Sequence, residues 1–155
     1  MNDFRLVAIT LDGSGTGANP AVMQEREVAI SDLLECNEFR PARSPGGPYR
    51  LSLGVQENRL LFHIALADGT PHGEVALSLT PFRKVIKDYF LLCDSYYKAI
   101  RSAPPAQLES LDMGRRALHD EGSALLQKRL AGKIAVDFDT ARRLFTLICA
   151  LHMKG

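Results

Sequence analysis

Hydrophobic and polar positions alternate along much of the first half of the chain, as they do in β-strands with one buried face. Four segments show this pattern or its β-forming composition: residues 4–11, 49–55, 59–67 and 74–79. Only Gln56, Glu57 and Asn58 separate the second segment from the third, which predicts a hairpin. A turn over 68–73 leads to the fourth. We therefore expect a three-stranded antiparallel meander, joined by the N-terminal strand.

Apolar residues at helical spacing indicate four helices, over residues 20–35, 81–102, 105–131 and 139–152. Asn19 and Thr80, each followed by proline, are typical N-caps, and Asp139 is a third candidate. Gly132 is the expected C′ residue of the third helix. The last helix is apolar on nearly all sides between residues 144 and 151, so we expect it to be buried.

Together these elements predict an α+β fold: a small antiparallel sheet packed against about four helices, with a helical C-terminal half. A chain of 155 residues fits a single domain, 1–155, with a sheet-rich part at about 1–80 and a helical part at about 81–155. Prolines and glycines predict a loop over 37–47. Residues 133–138 form a short strand or an extended link.

Composition narrows the class of protein. Hydrophobic residues make up 46% and charged residues 24% of the chain, which is ordinary for a globular protein and excludes disorder. No apolar stretch approaches the roughly 20 residues of a membrane span, and the first ten residues lack a basic region and a small-residue cleavage site, so we expect no targeting segment. The three cysteines, Cys36, Cys93 and Cys149, have no paired spacing. We expect reduced, partly buried thiols in a cytoplasmic protein.

Charge is distributed unevenly. Residues 1–80 hold 6 Lys and Arg against 10 Asp and Glu, a net charge of −4, whereas residues 81–155 hold 13 against 8, a net charge of +5. The two halves could attract each other, or the second half could meet an anionic partner. Basic residues cluster on the polar side of the second predicted helix: Arg83, Lys84, Lys87, Lys98 and Arg101. A solvated basic face explains them, and single-stranded nucleic acid is the less favoured alternative.

Motifs for cofactors and metals are weak. The glycine-rich loop over 12–17 lies where phosphate-binding loops occur, but it lacks the spacing of a dinucleotide or P-loop motif. It also resembles the start of a calcium loop, yet Met23 occupies the position of the required bidentate glutamate. The four histidines lack ligand spacing. We expect no cofactor, no metal and no catalytic residue.

The densest polar group lies in the third predicted helix. Asp112, Arg116 and Asp120 are spaced by four and so share one helix face. His119 is beside Arg116. Arg115 falls on an otherwise apolar stripe, where an arginine must be paired or must contact an anion.

Two interpretations of this group remain open. It is either a site for a phosphate or carboxylate, with His119 as a titratable member, or an ion-paired face packed on a neighbouring helix. Gly114 and Gly122 lie on the same helix, where each glycine costs about 1 kcal/mol relative to alanine. They therefore indicate the close approach of another element.

Three segments resemble uncharacterised protein family 0262, a family of small alphaproteobacterial proteins. They are SLTPFRKVIKDY over 78–89, DMGRRALHDEG over 112–122 and DTARRLFTL over 139–147. The resemblance covers nearly the whole chain and implies a bacterial cytosolic protein. It implies no reaction, cofactor or catalytic residue, and the 12–17 loop departs from the family pattern.

Three functional hypotheses follow. The first is a non-enzymatic interaction or regulatory protein that binds another protein or itself, because catalytic motifs are missing and the last helix is almost wholly apolar. The second is a small enzyme or sensor that binds an anionic ligand near Arg115, Arg116 and His119. The third and weakest is RNA binding through the basic face that includes Arg83 and Lys87. No membrane association is expected.

Overall fold

The computed structural model describes residues 3–12 and 20–152. Within them the chain forms two sheets and four helices. The strands are β1 (Leu6–Leu11), β2 (Phe39–Pro41), β3 (Tyr49–Gln56), β4 (Arg59–Leu66), β5 (Pro71–Ser78) and β6 (Ile134–Val136), and the helices are α1 (Pro20–Glu35), α2 (Arg83–Ala99), α3 (Pro105–Leu130) and α4 (Phe138–His152). The predicted α+β class, the meander and the helical second half are confirmed. No helix in these ranges is long and apolar enough to cross a bilayer.

The main sheet has the order β1-β3-β4-β5 and is mixed, not antiparallel throughout. β1 pairs with β3 in parallel, whereas β3, β4 and β5 form the antiparallel meander. The physical reason is the connection: α1 lies between β1 and β3 in the chain, and a helical crossover returns the chain in the original direction. In the β3–β4 turn, Glu57 and Asn58 both have positive φ, as tight hairpins require.

The predicted loop over 37–47 contains a strand. β2 pairs antiparallel with β6, with Phe39 opposite Val136 and Pro41 opposite Ile134. This strand has only three residues, and its partner lies more than ninety residues away. Local sequence therefore gives no sign of it, because prolines and glycines surround it.

Two of the predicted helix starts are wrong. Thr80 does not cap α2, because Thr80–Phe82 forms a 3₁₀ turn and the hydroxyl of Thr80 accepts a hydrogen bond from Asn58 Nδ2 at 3.0 Å. At α4 the cap is Asp137, not Asp139: its Oδ1 accepts from the Thr140 amide at 3.1 Å. The proposed Asn19 cap and most of the 12–17 loop lie outside the described residues.

Helix α4 occupies the centre of the fold and contacts β3, α1 and α3. Its apolar segment is buried as expected, with Leu144, Phe145, Leu147 and Ile148 fully covered. Gly132, with φ of +86°, follows the end of α3 as predicted. Two details differ from expectation. The helix predicted over 81–102 ends at Ala99, which leaves Ile100 beyond α2 and 48% exposed, and Cys36 is exposed although Cys93 and Cys149 are buried.

Candidate ligand site between the helices

Asp112 holds together the arginines of the predicted polar group. Its carboxylate accepts from Arg115 Nε at 2.8 Å and lies 3.1 Å from Arg116 Nε. The side chains of Asp112 and Arg115 are only 22% and 20% exposed, whereas that of Arg116 is 75% exposed. The arginine on the apolar stripe is thus paired within its own helix, and Arg116 points largely into solvent.

Arg115 also contacts two tyrosines of α2. Its guanidinium carbon lies 4.2 Å from the ring centroid of Tyr96 and 5.8 Å from that of Tyr97. Burial disfavours the charged form of Arg115, but the hydrogen bonds with Asp112 and Tyr97 outweigh it, so the pKa is raised. Such stacking together with an ion pair makes Arg115 a packed support for the α2–α3 contact.

His119 lies apart from these arginines, on the side of α3 that faces α4. Its Nε2 is 2.8 Å from Thr146 Oγ1, and its ring packs edge-on against Tyr89 and Phe145. Burial and the nearby charge of Arg142 lower the pKa of His119 to about 4. The imidazole is therefore neutral at physiological pH and acts as a hydrogen-bonding group.

An open cleft of about 610 Å³ lies beside His119, and all four helices contribute to its walls. Its lining residues are Gln24, Glu25, Val28, Ala29 and Asp32 of α1, Tyr89 and Tyr97 of α2, His119 of α3, and Arg142, Arg143 and Thr146 of α4. The α1 residues follow one helix face, since they are three to four positions apart. The cleft thus combines apolar and aromatic side chains with two guanidinium groups of α4 and two carboxylates of α1, Glu25 and Asp32.

Two polar contacts connect the helices that line the cleft. The hydroxyl of Tyr97 donates to Glu25 Oε1 at 2.7 Å and so joins α2 to α1. Burial, with this hydrogen bond, raises the pKa of Tyr97 to about 12, which keeps the phenol protonated. On the opposite side, Arg142 Nε lies 3.4 Å from the Asp120 carboxylate, and both groups are about half exposed.

The basic face of α2 is separate from this cleft. Arg83 donates to Asn58 Oδ1, with its Nε at 3.1 Å, and Lys84 pairs with Asp88 at 2.7 Å. Lys98 pairs with Asp94 at 2.9 Å, and Lys87 is exposed. Because neighbouring carboxylates neutralise part of this face, it offers nucleic acid less positive charge than its arginine and lysine content suggests.

The predicted site residues thus divide into three groups. Asp112, Arg115 and Arg116 form an ion-paired cluster, and Arg83 and Lys87 lie on α2. Of the predicted residues, only His119 lines the cleft, and Asp120 pairs with Arg142, which lines it too. The sequence interpretation missed Arg142 and Arg143. Their one available signal was two adjacent arginines at the start of an otherwise apolar helix.

Within the described ranges, no group of three or more His, Cys, Asp or Glu side chains could hold a metal ion. The histidines are dispersed: His63 Nδ1 lies 3.0 Å from Glu74 on the sheet, and the His72 ring lies near that of Tyr49.

Comparison with known proteins gives consistent matches over the full length. The family model described as Uncharacterised protein family (UPF0262) matches residues 3–154. A protein of that family from Azorhizobium caulinodans is 59% identical over 154 residues, covering 97% of this chain and 95% of the relative. One from Rhizobium etli is 54% identical over 153 residues, covering 99% and 98%. No solved structure shows significant similarity.

Proposed function

We propose that this chain, which belongs to the Uncharacterised protein family (UPF0262), is a non-enzymatic binding protein that holds a small organic anion in the helical cleft. One observation supports this most directly: Arg142 and Arg143 line the same cleft as His119 and two tyrosines. Guanidinium groups bind carboxylates and phosphates through paired N–H donors, and they do so more selectively than lysine. The anionic group is expected at the α4 side.

The apolar and aromatic lining of the cleft indicates what kind of organic group carries the anion. Val28 and Ala29 of α1 line the cleft together with Tyr89 and Tyr97 of α2. A volume of about 610 Å³ falls within the range of roughly 300–1,000 Å³ typical of small-molecule sites. An aliphatic or aromatic group of the ligand would pack against these apolar side chains. Asp32 is positioned in the lining to accept a hydrogen bond from a donor group of the ligand.

His119 gives the proposal a measurable property. Its low pKa reflects burial and the charge of Arg142. A bound anion beside Arg142 would offset that positive charge and favour the protonated imidazole. Ligand binding should therefore raise the pKa of His119, in addition to stabilising the fold.

The test is a thermal-shift and calorimetric screen with acetate, benzoate, phenyl phosphate and inorganic phosphate. A ligand at 100 times its dissociation constant should add about 2.7 kcal/mol to the free energy of unfolding. Arg142→Ala and Arg143→Ala should each weaken binding about tenfold or more, because each removes a charged donor.

Arg116→Ala is the matched control, because Arg116 is an exposed arginine on α3 that is absent from the cleft lining. It should bind as the wild type does. If none of the anions binds saturably, or if the variants at 142 and 143 retain full affinity, the cleft is not an anion site.

A second candidate function is association with a protein partner or with a second copy. Leu91 of α2 is 57% exposed and Met113 of α3 is 64% exposed, on two helices packed against each other. Exposed large apolar side chains favour protein contact when they form a patch. Mass in solution and capture of bacterial partners test this: Leu91→Lys and Met113→Lys should abolish association, and a strictly monomeric protein without partners would exclude it.

A further inference from the structure

A second concave surface lies between the two strands of the small sheet and the turn that follows β2. It has a volume of about 290 Å³ and is lined by Phe4, residues 40–44 and residues 132–135. Three of these residues are cations: Arg40, Arg43 and Lys133. None of the lining residues is acidic. Two segments that lie about ninety positions apart thus bring three positive charges to one hollow.

The register of the small sheet explains why the hollow is open. Arg40 of β2 pairs with Ala135 of β6. Both face outward, because the flanking residues of each strand are buried. A small alanine opposite the arginine leaves space above the sheet. Gly132 lines the edge of the hollow, and a Cβ there would meet no atom within 4 Å.

The Arg40 side chain is positioned by Phe4, and its guanidinium group can still bind an anion. Its guanidinium carbon lies 4.2 Å from the centroid of the Phe4 ring, a cation–π contact that limits the side chain's movement. Its nearest carboxylate, Glu38, is 3.6 Å away, and both side chains are about half exposed. Such an exposed pair contributes little, so Arg40 can exchange it for a better anion.

Arg43 adopts an unfavourable backbone conformation at this position. Its φ is +63°, in the left-handed region of the backbone map, which residues other than Gly and Asn rarely adopt. The turn around it is fixed: the Ser44 amide donates to the Pro41 carbonyl at 3.3 Å, and the Ala42 amide donates to the Lys133 carbonyl at 2.9 Å. Backbone strain of this kind is commonly found at functional sites. Here it places an arginine where glycine would be easier to accommodate.

We infer that this hollow is a second anion site, separate from the helical cleft, and that it takes the phosphate group of a small phosphorylated metabolite. A phosphate monoester carries close to two negative charges and three acceptor oxygens at neutral pH. Two guanidinium groups and an ammonium group match that charge and those acceptors. The hollow is small and local, whereas nucleic acid would need a basic surface that follows several phosphates. The ligand is therefore a single phosphate on a small molecule.

The test uses the full chain and phenyl phosphate, measured by calorimetry and by amide chemical shifts at low salt. Wild-type protein should bind saturably, with shifts at residues 40–44 and 132–135. Arg43→Gly suits the left-handed backbone and removes the guanidinium, so it should keep or raise Tm while weakening binding at least tenfold. Lys133→Ala should also weaken binding, because it removes the ammonium group. The fold should be kept, because the backbone hydrogen bonds of Lys133 do not involve its side chain.

Three controls separate this site from the alternatives. Arg101→Ala, at an exposed residue outside both sites, should bind as the wild type does. Arg142→Ala should weaken binding in the cleft but leave the ligand-induced shifts at residues 40–44 and 132–135 intact; if it abolishes those shifts while Arg43→Gly does not, the anion occupies the cleft and this inference is wrong. Equal affinity of wild type and Arg43→Gly, read from the amide shifts of residues 40–44 and 132–135, overturns it. A single-stranded RNA that binds tenfold more tightly than phenyl phosphate through the same residues overturns it as well.

Discussion

Gly122 of α3 lies directly against the ring of Phe145 of α4. A Cβ built on Gly122 would come within 2.2 Å of Phe145 Cζ and within 2.6 Å of both Cε atoms. The Phe145 ring is fully buried, with Tyr89 and His119 packed against it. The glycine therefore allows α3 and α4 to approach each other closely, at a cost in helix propensity.

Gly122→Ala should consequently destabilise the fold although alanine favours the helix. Moving a ring in a closely packed core costs about 1–3 kcal/mol, and the gain in propensity returns about 1 kcal/mol. The difference is a fall in the free energy of unfolding of up to about 2 kcal/mol, measured by urea denaturation with an unchanged m-value.

Gly114→Ala is the matched control on the same helix. There a Cβ would meet only Leu92 Cδ1, at 3.1 Å, the tip of a side chain that can move. The substitution should be neutral or should stabilise the protein by up to about 1 kcal/mol. If Gly122→Ala were as well tolerated as Gly114→Ala, the close approach of Phe145 would not determine the helix spacing.

The sequence indicated that these glycines admit a neighbouring element, and the two contacts confirm this. It also predicted a hairpin connection at residues 56–58, of which Glu57 and Asn58 form the turn, and it predicted Gly132 just beyond the end of α3. Each of these depends on local chemistry: backbone conformation, helix propensity or the spacing of apolar residues. Such features can be predicted because the residues responsible are adjacent in the chain.

The remaining features depend on contacts between distant segments. β2 exists because β6 pairs with it, and β1 is parallel because α1 crosses over the sheet. In the same way, His119 and Arg142 come together only when α3 packs on α4. Periodicity placed His119 beside Arg116 on one helix, but it could not show that Thr146 of another helix would be its partner.

The pair Asp112–Arg115 should stabilise the α2–α3 contact measurably. Asp112→Ala leaves a mostly buried guanidinium without its carboxylate, although stacking on Tyr96 remains. We expect a loss of about 1–3 kcal/mol, since an uncompensated, partly buried charge is costly. Arg116→Ala should cost less than about 0.5 kcal/mol, because its pair is exposed. A double-mutant cycle of Asp112→Ala with Arg115→Met measures the coupling, and a value near zero would contradict this role.

Asn37 joins the end of α1 to β1. Its Oδ1 accepts from the Leu6 amide at 2.7 Å, and its Nδ2 donates to the carbonyls of Leu6 at 3.1 Å and Leu33 at 2.7 Å. Asn37→Ala removes all three hydrogen bonds and should cost about 1–3 kcal/mol.

Asn37→Asp keeps the acceptor but loses both donors and places a carboxylate beside two carbonyls. It should therefore be at least as destabilising as Asn37→Ala at pH 7. Denaturant unfolding of both variants checks this, and full stability of Asn37→Asp would show that the donated hydrogen bonds are dispensable.

His119 should make the stability of the protein depend on pH in a defined window. Its pKa is about 4 in the folded state against 6.5 for an ordinary histidine, so below pH 6.5 the unfolded chain binds a proton that the folded chain does not. Stability is then lost as pH falls from about 6.5 to about 4, by up to about 1.4 kcal/mol per pH unit, with no contribution above that window. His119→Gln removes the titrating group while keeping a polar side chain.

The measurement is urea denaturation of the wild type and of His119→Gln between pH 7 and pH 5. This range largely avoids the protonation of ordinary carboxylates. Gln also loses ring packing against Tyr89 and Phe145, so the comparison concerns the slope with pH, not the absolute stability. The slope should be clearly smaller in the variant. Equal slopes, or a histidine NMR titration that places the pKa of His119 near 6.5, would show that the ring is more accessible to water and protons than its contacts with Thr146 and Phe145 imply.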